Sequence, residues 1–481
     1  MKILKDLLKD IEYSKLIGSA SCQVEALTCD SRQVHQGSCF FALKGTQSDG
    51  HQFIDKATTL GAAAIVCQKL PQQLNPNVSY VVVANSHKTM GQMAAAFYGH
   101  PSRSLNLIGI TGTNGKTTTA TLLYDLFRSV GYRVGLISTV SYCIDSEVRT
   151  STHTTPDSIS LQSMLAEMVE AGCDYCFMEV SSHAVVQERI AGARFVGALF
   201  SNITHDHLDY HHTFAEYIKA KKGLFDSLTK EAFALTNIDD RNGEIMLQNC
   251  KAGRYSYSLR SMADFRCKIT EMHLDSMLLK LDGEEIWVGS TGRFNAYNTL
   301  AIYSTARLLG LSKSETMVAI SSLKAVCGRF ETMQLPSGVT AIVDYAHTPD
   351  ALQSVISTIE EIIAPEQQLI VVCGCGGDRD RTKRPEMAQI ASSHSSLSIF
   401  TSDNPRSEDP QTIIDEMVAG VTDRTARYLT IIDRREAIRT ALMFAKRGDV
   451  VLVAGKGHEK YQIVGDKRLD FDDHQVIKEM F

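Results

Sequence analysis

Residues 108–119 read IGITGTNGKTTT, and the reading of the whole chain works outward from them. Residues 105–110 are an apolar run of strand length. Gly115-Lys116-Thr117 opens a segment whose apolar residues Ala120, Leu123, Phe127 and Val130 recur at helical spacing. A strand, a Gly-rich turn and a helix N-terminus together make an anion site. Backbone N–H groups converge on phosphate, the helix dipole favours negative charge, Lys116 can reach terminal phosphates, and the Thr117 hydroxyl can ligate magnesium. The strict phosphate-loop pattern has glycine five residues before Gly115. Ile110 stands there, with Gly109 and Gly112 nearest, so this is a shortened variant. Alone, it reads equally as an ordinary Gly-rich strand–helix turn.

At 481 residues and about 150 residues per domain, three domains are expected. With 44% hydrophobic and 22% charged residues the composition is that of a soluble globular protein. A net charge of −6 argues against nucleic acid as the main partner. The first 15 residues alternate apolar and charged side chains like an amphipathic surface helix, without the apolar core of a signal peptide. No apolar stretch approaches the roughly 20 residues of a membrane span. The 12 cysteines are scattered, and Cys373 and Cys375 are too close for a zinc pair, so reduced thiols and a cytoplasmic location are expected.

Residues 1–98 read as a small α/β domain with strands near 39–43, 63–66 and 80–83. Its polar clusters, Asp30-Ser31-Arg32 among them, read first as turn chemistry. His100-Pro101-Ser102 is a linker signal. Residues 99–332 alternate strands (133–138, 175–180, 197–202, 232–236) with helices, which implies a largely parallel sheet. Just past the strands stand Glu179-Val180-Ser181-Ser182-His183, Thr204-His205-Asp206-His207 and Asn237-Ile238-Asp239-Asp240. Open α/β sheets bind ligands at that edge. Residues 333–481 repeat the pattern as a Rossmann-like α/β domain, with strands near 339–343, 368–373, 397–401 and 449–453. No second phosphate loop is present, so this domain is expected to bring a substrate or a lid. Its loop Asp403-Asn404-Pro405-Arg406 reads equally as a solvated turn.

Chemistry narrows the candidates. Magnesium takes oxygen ligands, so Thr117 and Glu179 suit one ion. His207 would be an unusual ligand, and a lone histidine is more often structural. Residues 217–225, YIKAKKGLF, read as one amphipathic helix whose lysines are solvated by default.

Several short motifs, in order along essentially the whole chain, resemble the Mur ligases of peptidoglycan synthesis. They are GTNGKTT at 112–118, EVSSH at 179–183, DHLDYH at 206–211, the 217–225 helix, GRFNAYN at 292–298, GRFE at 328–331 and DYAHTPD at 344–350. Asp30-Ser31-Arg32, residues 374–385, Asp403-Asn404-Pro405-Arg406 and residues 455–459 are similar to the members that add diaminopimelate. One departure is Thr382, where relatives commonly carry glycine.

The resemblance implies ATP as co-substrate with two magnesium ions. Gly112, Thr113, Asn114, Gly115, Lys116, Thr117 and Thr118 would cradle ATP, with Asn295 and Asn298 near adenine and Arg329 and Asp344 lining the cleft. Lys221 matches a lysine that carbon dioxide converts to a carbamate (N6-carboxylysine). Thr117, Glu179, His207 and carbamylated Lys221 would then hold the metals, and Lys116, Glu179, His207 and Lys221 would carry catalysis. Ser31, His153, Thr154, Thr155, Ser181, Gln187 and Arg189 would line the site for UDP-N-acetylmuramoyl-L-alanyl-D-glutamate. Arg379, Asp403, Asn404, Pro405, Arg406, Gly455 and Glu459 would bind meso-diaminopimelate. A second carboxylate distinguishes diaminopimelate from lysine, and arginine grips carboxylates in two places. A monomer without nucleic-acid or membrane partners is expected. A folylpolyglutamate synthase would share the core but normally lacks a UDP-binding domain like residues 1–98. A nucleotide-dependent switch would leave the loops of the third domain unexplained.

Overall fold

The computed structural model describes residues 1–45, 48–204, 206 and 208–480. Three principal sheets follow one another along the chain. The N-terminal sheet has five strands in the order Lys15–Ile17, Ser79–Val82, Ala64–Cys67, Ser38–Phe41 and Ala26–Thr28, parallel except for the first. The opening residues are not the long amphipathic helix expected. A two-residue strand, Lys2–Ile3, leads into a single turn, Leu4–Leu7, with no side-chain cap at its start. The apolar residues Leu4, Leu7, Leu8 and Ile11 are buried as the spacing implied, but the chain turns away to pair Lys15–Ile17 with Ser79–Val82.

The central sheet centres on Asn106–Thr111, flanked in parallel by Tyr175–Glu179 and Gly197–Phe200. Val134–Ile137, Phe233–Asn237 and Gly253–Ser258 extend it. Both ends differ from the expected parallel pattern. Ser141–Ile144 and Glu147–Thr150 form an antiparallel hairpin on one edge. Phe265–Met272, Met277–Leu281 and Glu284–Val288 form an antiparallel ribbon on the other. Helices cover both faces. Lys116–Ser129 and Arg293–Leu308 pack Leu123, Phe127, Leu300 and Tyr303 against one face, while Ser158–Glu170 and Phe214–Asp226 pack Leu161, Leu165, Leu224 and Phe225 against the other.

The C-terminal sheet runs Glu331–Gln334, Thr340–Asp344, Val450–Ala454, Leu369–Cys373, Leu397–Thr401, Tyr428–Ile431, parallel but for the first strand. Two arginines are fully buried within it. Arg434 pairs with Asp473 at 2.7 Å and donates to the Ala454 carbonyl. Arg384 bridges Glu408 and Glu416 and donates to the Gly376 carbonyl, fixing the loops beyond the strands. Among the described residues no helix is long and apolar enough to cross a membrane. All twelve cysteines are free thiols.

Candidate active site

The loop between Asn106–Thr111 and the helix Lys116–Ser129 is built by close approach. A Cβ on Gly112 would stand 1.9 Å from Ser201 Oγ, and one on Gly115, which lies in the left-handed region at φ +87°, would stand 2.5 Å from Asn298 Oδ1. Neither position tolerates a side chain. Ser201 and Asn202, at the end of the neighbouring strand, hold the loop. Ser201 Oγ donates to the Asn114 carbonyl at 2.6 Å, and the Asn114 N–H donates to Asn202 Oδ1 at 2.9 Å. Sequence reading did not single out this pair, because a serine and an asparagine after a strand carry no signature.

Lys116 Nζ folds back to donate to the carbonyls of Gly112 (2.9 Å) and Thr113 (2.8 Å). Burial pushes its ammonium below the ordinary lysine value, opposed by the charges of Glu179 and Asp206. Lys221 is a correction to the helix reading. Instead of reaching solvent, it is 1% exposed, donates to the Gly112 carbonyl at 2.6 Å and stands 4.5 Å over the Tyr217 ring. Burial drives its ammonium far down, and the neighbouring Lys116 adds to the effect. Glu179 ends its strand opposite Ile110 and is wholly buried. Its oxygens accept from the Thr139 N–H (2.7 Å) and hydroxyl (3.3 Å). His207 lies outside the described residues.

Asn114, Gly115, Thr118, Asn298, Arg329 and Asp344 line one cleft of about 480 Å³ between the central and C-terminal domains. Asn295 stands behind it, buried, accepting from Asn298 Nδ2 at 3.1 Å and donating to the Thr291 carbonyl, so it acts on the cleft through Asn298. Several contacts cross the cleft, among them the ion pair of Arg293 with Glu361 at 3.8 Å. Arg329 Nη2 donates to the Thr117 hydroxyl at 3.1 Å while its guanidinium lies 4.5 Å over the Tyr345 ring. Asn114 Nδ2 donates to Asp350 at 3.1 Å. Asp344 accepts from the N–H groups of Phe330 and Ala346, both at 2.7 Å. Burial nonetheless raises its carboxyl to about 6, against the pull of Arg329.

The residues assigned to the UDP-linked substrate are partly knitted together. Arg189 donates to the Thr155 carbonyl and to Gln187 Oε1, and the Ser181 N–H donates to the Thr155 hydroxyl. Thr154 joins through Thr139, which donates to its hydroxyl at 3.0 Å. His153 is exposed, tied through its backbone to the Tyr142 hydroxyl. Ser31, 8% exposed, sits in the N-terminal domain, and among the described residues no hydrogen bond joins it to this cluster. That domain presses on the loop after Arg189: a Cβ on Gly91 would stand 2.4 Å from the Ala191 carbonyl oxygen.

Arg379, Asp403, Asn404, Arg406, Gly455 and Glu459 line a second cavity of about 660 Å³, which Thr154, His183 and Asp206 close from the central domain. Arg406 Nη1 donates to the Gly377 carbonyl at 2.7 Å. A Cβ on Gly376 would stand 2.8 Å from that nitrogen and 3.8 Å from Arg379 Cγ, so the two arginines flank a bare backbone. Pro405 is buried beneath the loop and does not line the cavity. Glu459 is not a lone acceptor. Its Oε2 takes Asn404 Nδ2 at 2.8 Å and the Lys456 ammonium at 3.1 Å, and Lys456 also lies 3.9 Å from Asp403. Lys456, within residues 455–459, is fully buried, and its role is visible only in the fold. Asp403, Glu459 and Lys456 together carry one net negative charge, which suits an ammonium at this end of a cavity whose other wall is cationic. Thr382 has ordinary helical backbone (φ −64°) and bonds Asp380, so glycine is not required there.

Comparisons with known proteins identify the family. Sequence profiles described as "Mur ligase family, catalytic domain", "Mur ligase middle domain" and "Mur ligase, glutamate ligase domain" match residues 23–98, 110–306 and 328–457. The chain belongs to the Mur ligase family, a family of ATP-dependent ligases. A relative from Phocaeicola vulgatus named UDP-N-acetylmuramoyl-L-alanyl-D-glutamate–2,6-diaminopimelate ligase is 50% identical over 479 residues, 99% of each chain. A solved structure of a protein of that name is 31% identical, covers 100% of this chain and 99% of its own, and superposes with a TM-score of 0.70. MurF ligase from Thermotoga maritima, solved with ADP, shares the fold at 19% identity and a TM-score of 0.62, with 96% and 97% of the two chains covered.

Proposed function

We propose that this ligase joins meso-2,6-diaminopimelate to UDP-N-acetylmuramoyl-L-alanyl-D-glutamate at the expense of ATP, as a cytoplasmic monomer, with functional divisions near residues 98 and 332. The observation that carries the amino-acid assignment is the charge layout of the larger cavity. Arg406 and Arg379 flank Gly376 on one wall, and the Asp403–Lys456–Glu459 group leaves one negative charge for an ammonium. Lysine would leave the guanidinium without its carboxylate, a costly arrangement.

ATP sits in the smaller cleft, its phosphates on the N–H groups of residues 112–118. The γ-carboxylate of D-glutamate attacks the γ-phosphorus, ADP departs, and an acyl phosphate forms. An amine of diaminopimelate then attacks the acyl carbon, and phosphate leaves with the C–O electron pair. Lys116 releases its loop carbonyls to grip the phosphates, and the Arg329 and Asn114 contacts across the cleft hold the third domain down, excluding water that would hydrolyse the acyl phosphate.

The residues present fit magnesium. Glu179 is a buried carboxylate with only Thr139 bonded to it among the described residues, close to the Thr117 hydroxyl's loop, an oxygen donor set. Lys221, its amine pushed toward neutrality, adds to carbon dioxide and loses one proton, becoming a carbamate that joins Glu179, Thr117 and His207 as ligands. Bound magnesium would offset the repulsion between the attacking carboxylate and the polyphosphate.

Release of inorganic phosphate from ATP tests the reading. It is expected only when the UDP-muramoyl dipeptide and diaminopimelate are both present, and to be far slower with lysine or ornithine. Equal rates with lysine would sink the substrate assignment.

A further inference from the structure

Cys327, Glu331 and His474 meet where the chain passes from the central domain into the C-terminal sheet. One ligand atom of each lies within 4.8 Å of the other two. Glu331 opens the strand Glu331–Gln334, and His474 stands in the last helix, Asp473–Lys478. Thiol, carboxylate and imidazole are the donor types zinc takes, whereas magnesium and calcium prefer oxygen alone.

Three further observations separate this cluster from a simple ion pair. His474 is 9% exposed, and its Nε2 lies 2.8 Å from Glu331 Oε2, with no well-aligned hydrogen bond to this buried nitrogen among the described residues. On the far side of the ring, Nδ1 faces Asp472 Oδ1 at 3.4 Å. A carboxylate behind the imidazole is the arrangement that aims metal-binding histidines. Glu331 is itself held by the Gly328 N–H at 2.8 Å, and Cys327 is exposed, which gives a cation a route in.

We propose that Cys327, Glu331 and His474 bind one thiophilic divalent cation of the zinc class, with water in the fourth position. On binding, the Cys327 thiol gives its proton to solvent and the sulfur becomes a thiolate ligand. Arg329 lies between two of the ligands and touches both Thr117 and Tyr345. The cation therefore fastens the last helix to the segment that closes on the nucleotide cleft.

The test is equilibrium dialysis of the untagged full-length chain against buffered Zn²⁺, with Co²⁺ as a spectroscopic substitute. One equivalent of zinc is expected at micromolar free metal, with a thiolate-to-cobalt charge-transfer band in the near ultraviolet. Cys327→Ser, an exposed and conservative change, is expected to abolish both, whereas Cys29→Ser, at the other exposed cysteine, leaves both intact. Asp472→Asn keeps a helix-capping side chain but weakens the acceptor behind the ring, and is expected to lower zinc affinity about tenfold. No zinc at micromolar concentration, or equal uptake by Cys327→Ser, overturns the proposal.

Discussion

Lys116 and Lys221 share one acceptor: both ammonium nitrogens bond the Gly112 carbonyl oxygen, at 2.9 and 2.6 Å. Two buried cations on one oxygen repel, and the depressed basicity of Lys221 follows from burial first and Lys116 second. A carbamate on Lys221 would turn that repulsion into attraction. Lys221→Ala and the closer-shaped Lys221→Met are each expected to lose about 100-fold or more in kcat at saturating ATP and magnesium. Intact-mass analysis under carbon dioxide should show the wild type, not the variants, gaining one CO₂. Activity within a few fold of wild type would rule the carbamate out.

Arg406→Ala removes the guanidinium beside Gly376. Charge-assisted hydrogen bonds contribute about 1.5–3 kcal/mol, so KM for diaminopimelate should rise about 10- to 100-fold with kcat much less affected. The preference for diaminopimelate over lysine should narrow by a similar factor. An unchanged preference would remove Arg406 from specificity.

Among the described residues, Lys456 is the one cation paired with both Asp403 and Glu459, at 3.9 and 3.1 Å. Lys456→Met leaves the buried Asp403 carboxylate and the half-buried Glu459 carboxylate without their shared cation. Breaking a buried pair from one side costs about 3–5 kcal/mol, which a calorimetric scan of the C-terminal transition should register as a drop of several degrees. A variant that melts with the wild type would contradict this role.

Asp344 gives a pH dependence with a definite sign. Its folded-state value, about 6, lies above the ordinary 3.8. The folded chain holds that proton more tightly than the unfolded chain, so ionising Asp344 subtracts stability progressively from about pH 4 to about pH 6. Asp344→Asn does not titrate. Its melting temperature relative to wild type should climb across that window, by the equivalent of at most about 3 kcal/mol, and then level off. Losing one of two backbone acceptors adds an offset that does not vary with pH. Parallel curves would show that Asp344 is ionised at no cost.

The strands and the polar loops after them were legible because buried parallel strands are unbroken apolar runs and ligand-binding loops are not. Hence Asn298, Arg329, Asp344 and Arg406, named from pattern and resemblance together, line the two cavities, while Glu179 is a buried carboxylate at the end of its strand. What failed was long-range. Helical spacing says that Lys221 lies on a face, not that the face packs beneath a carbonyl 109 residues earlier. Lys456 draws its meaning from Asp403 and Asn404, which arrive from another loop. The antiparallel ribbon after residue 264 was missed because one of its faces is solvated and its apolar runs are broken: in Phe265–Met272 only Cys267 is buried and every second residue from Arg266 to Thr270 is exposed.

Arg406 occupies left-handed backbone at φ +52°, a conformation that strains any residue with a Cβ. Optimisation for thermal tolerance alone would therefore favour glycine at 406, and under the reading given above it would also discard the group that recognises the second carboxylate. Screens that reward robustness in this enzyme should accordingly drift toward promiscuity unless substrate choice is selected at the same time.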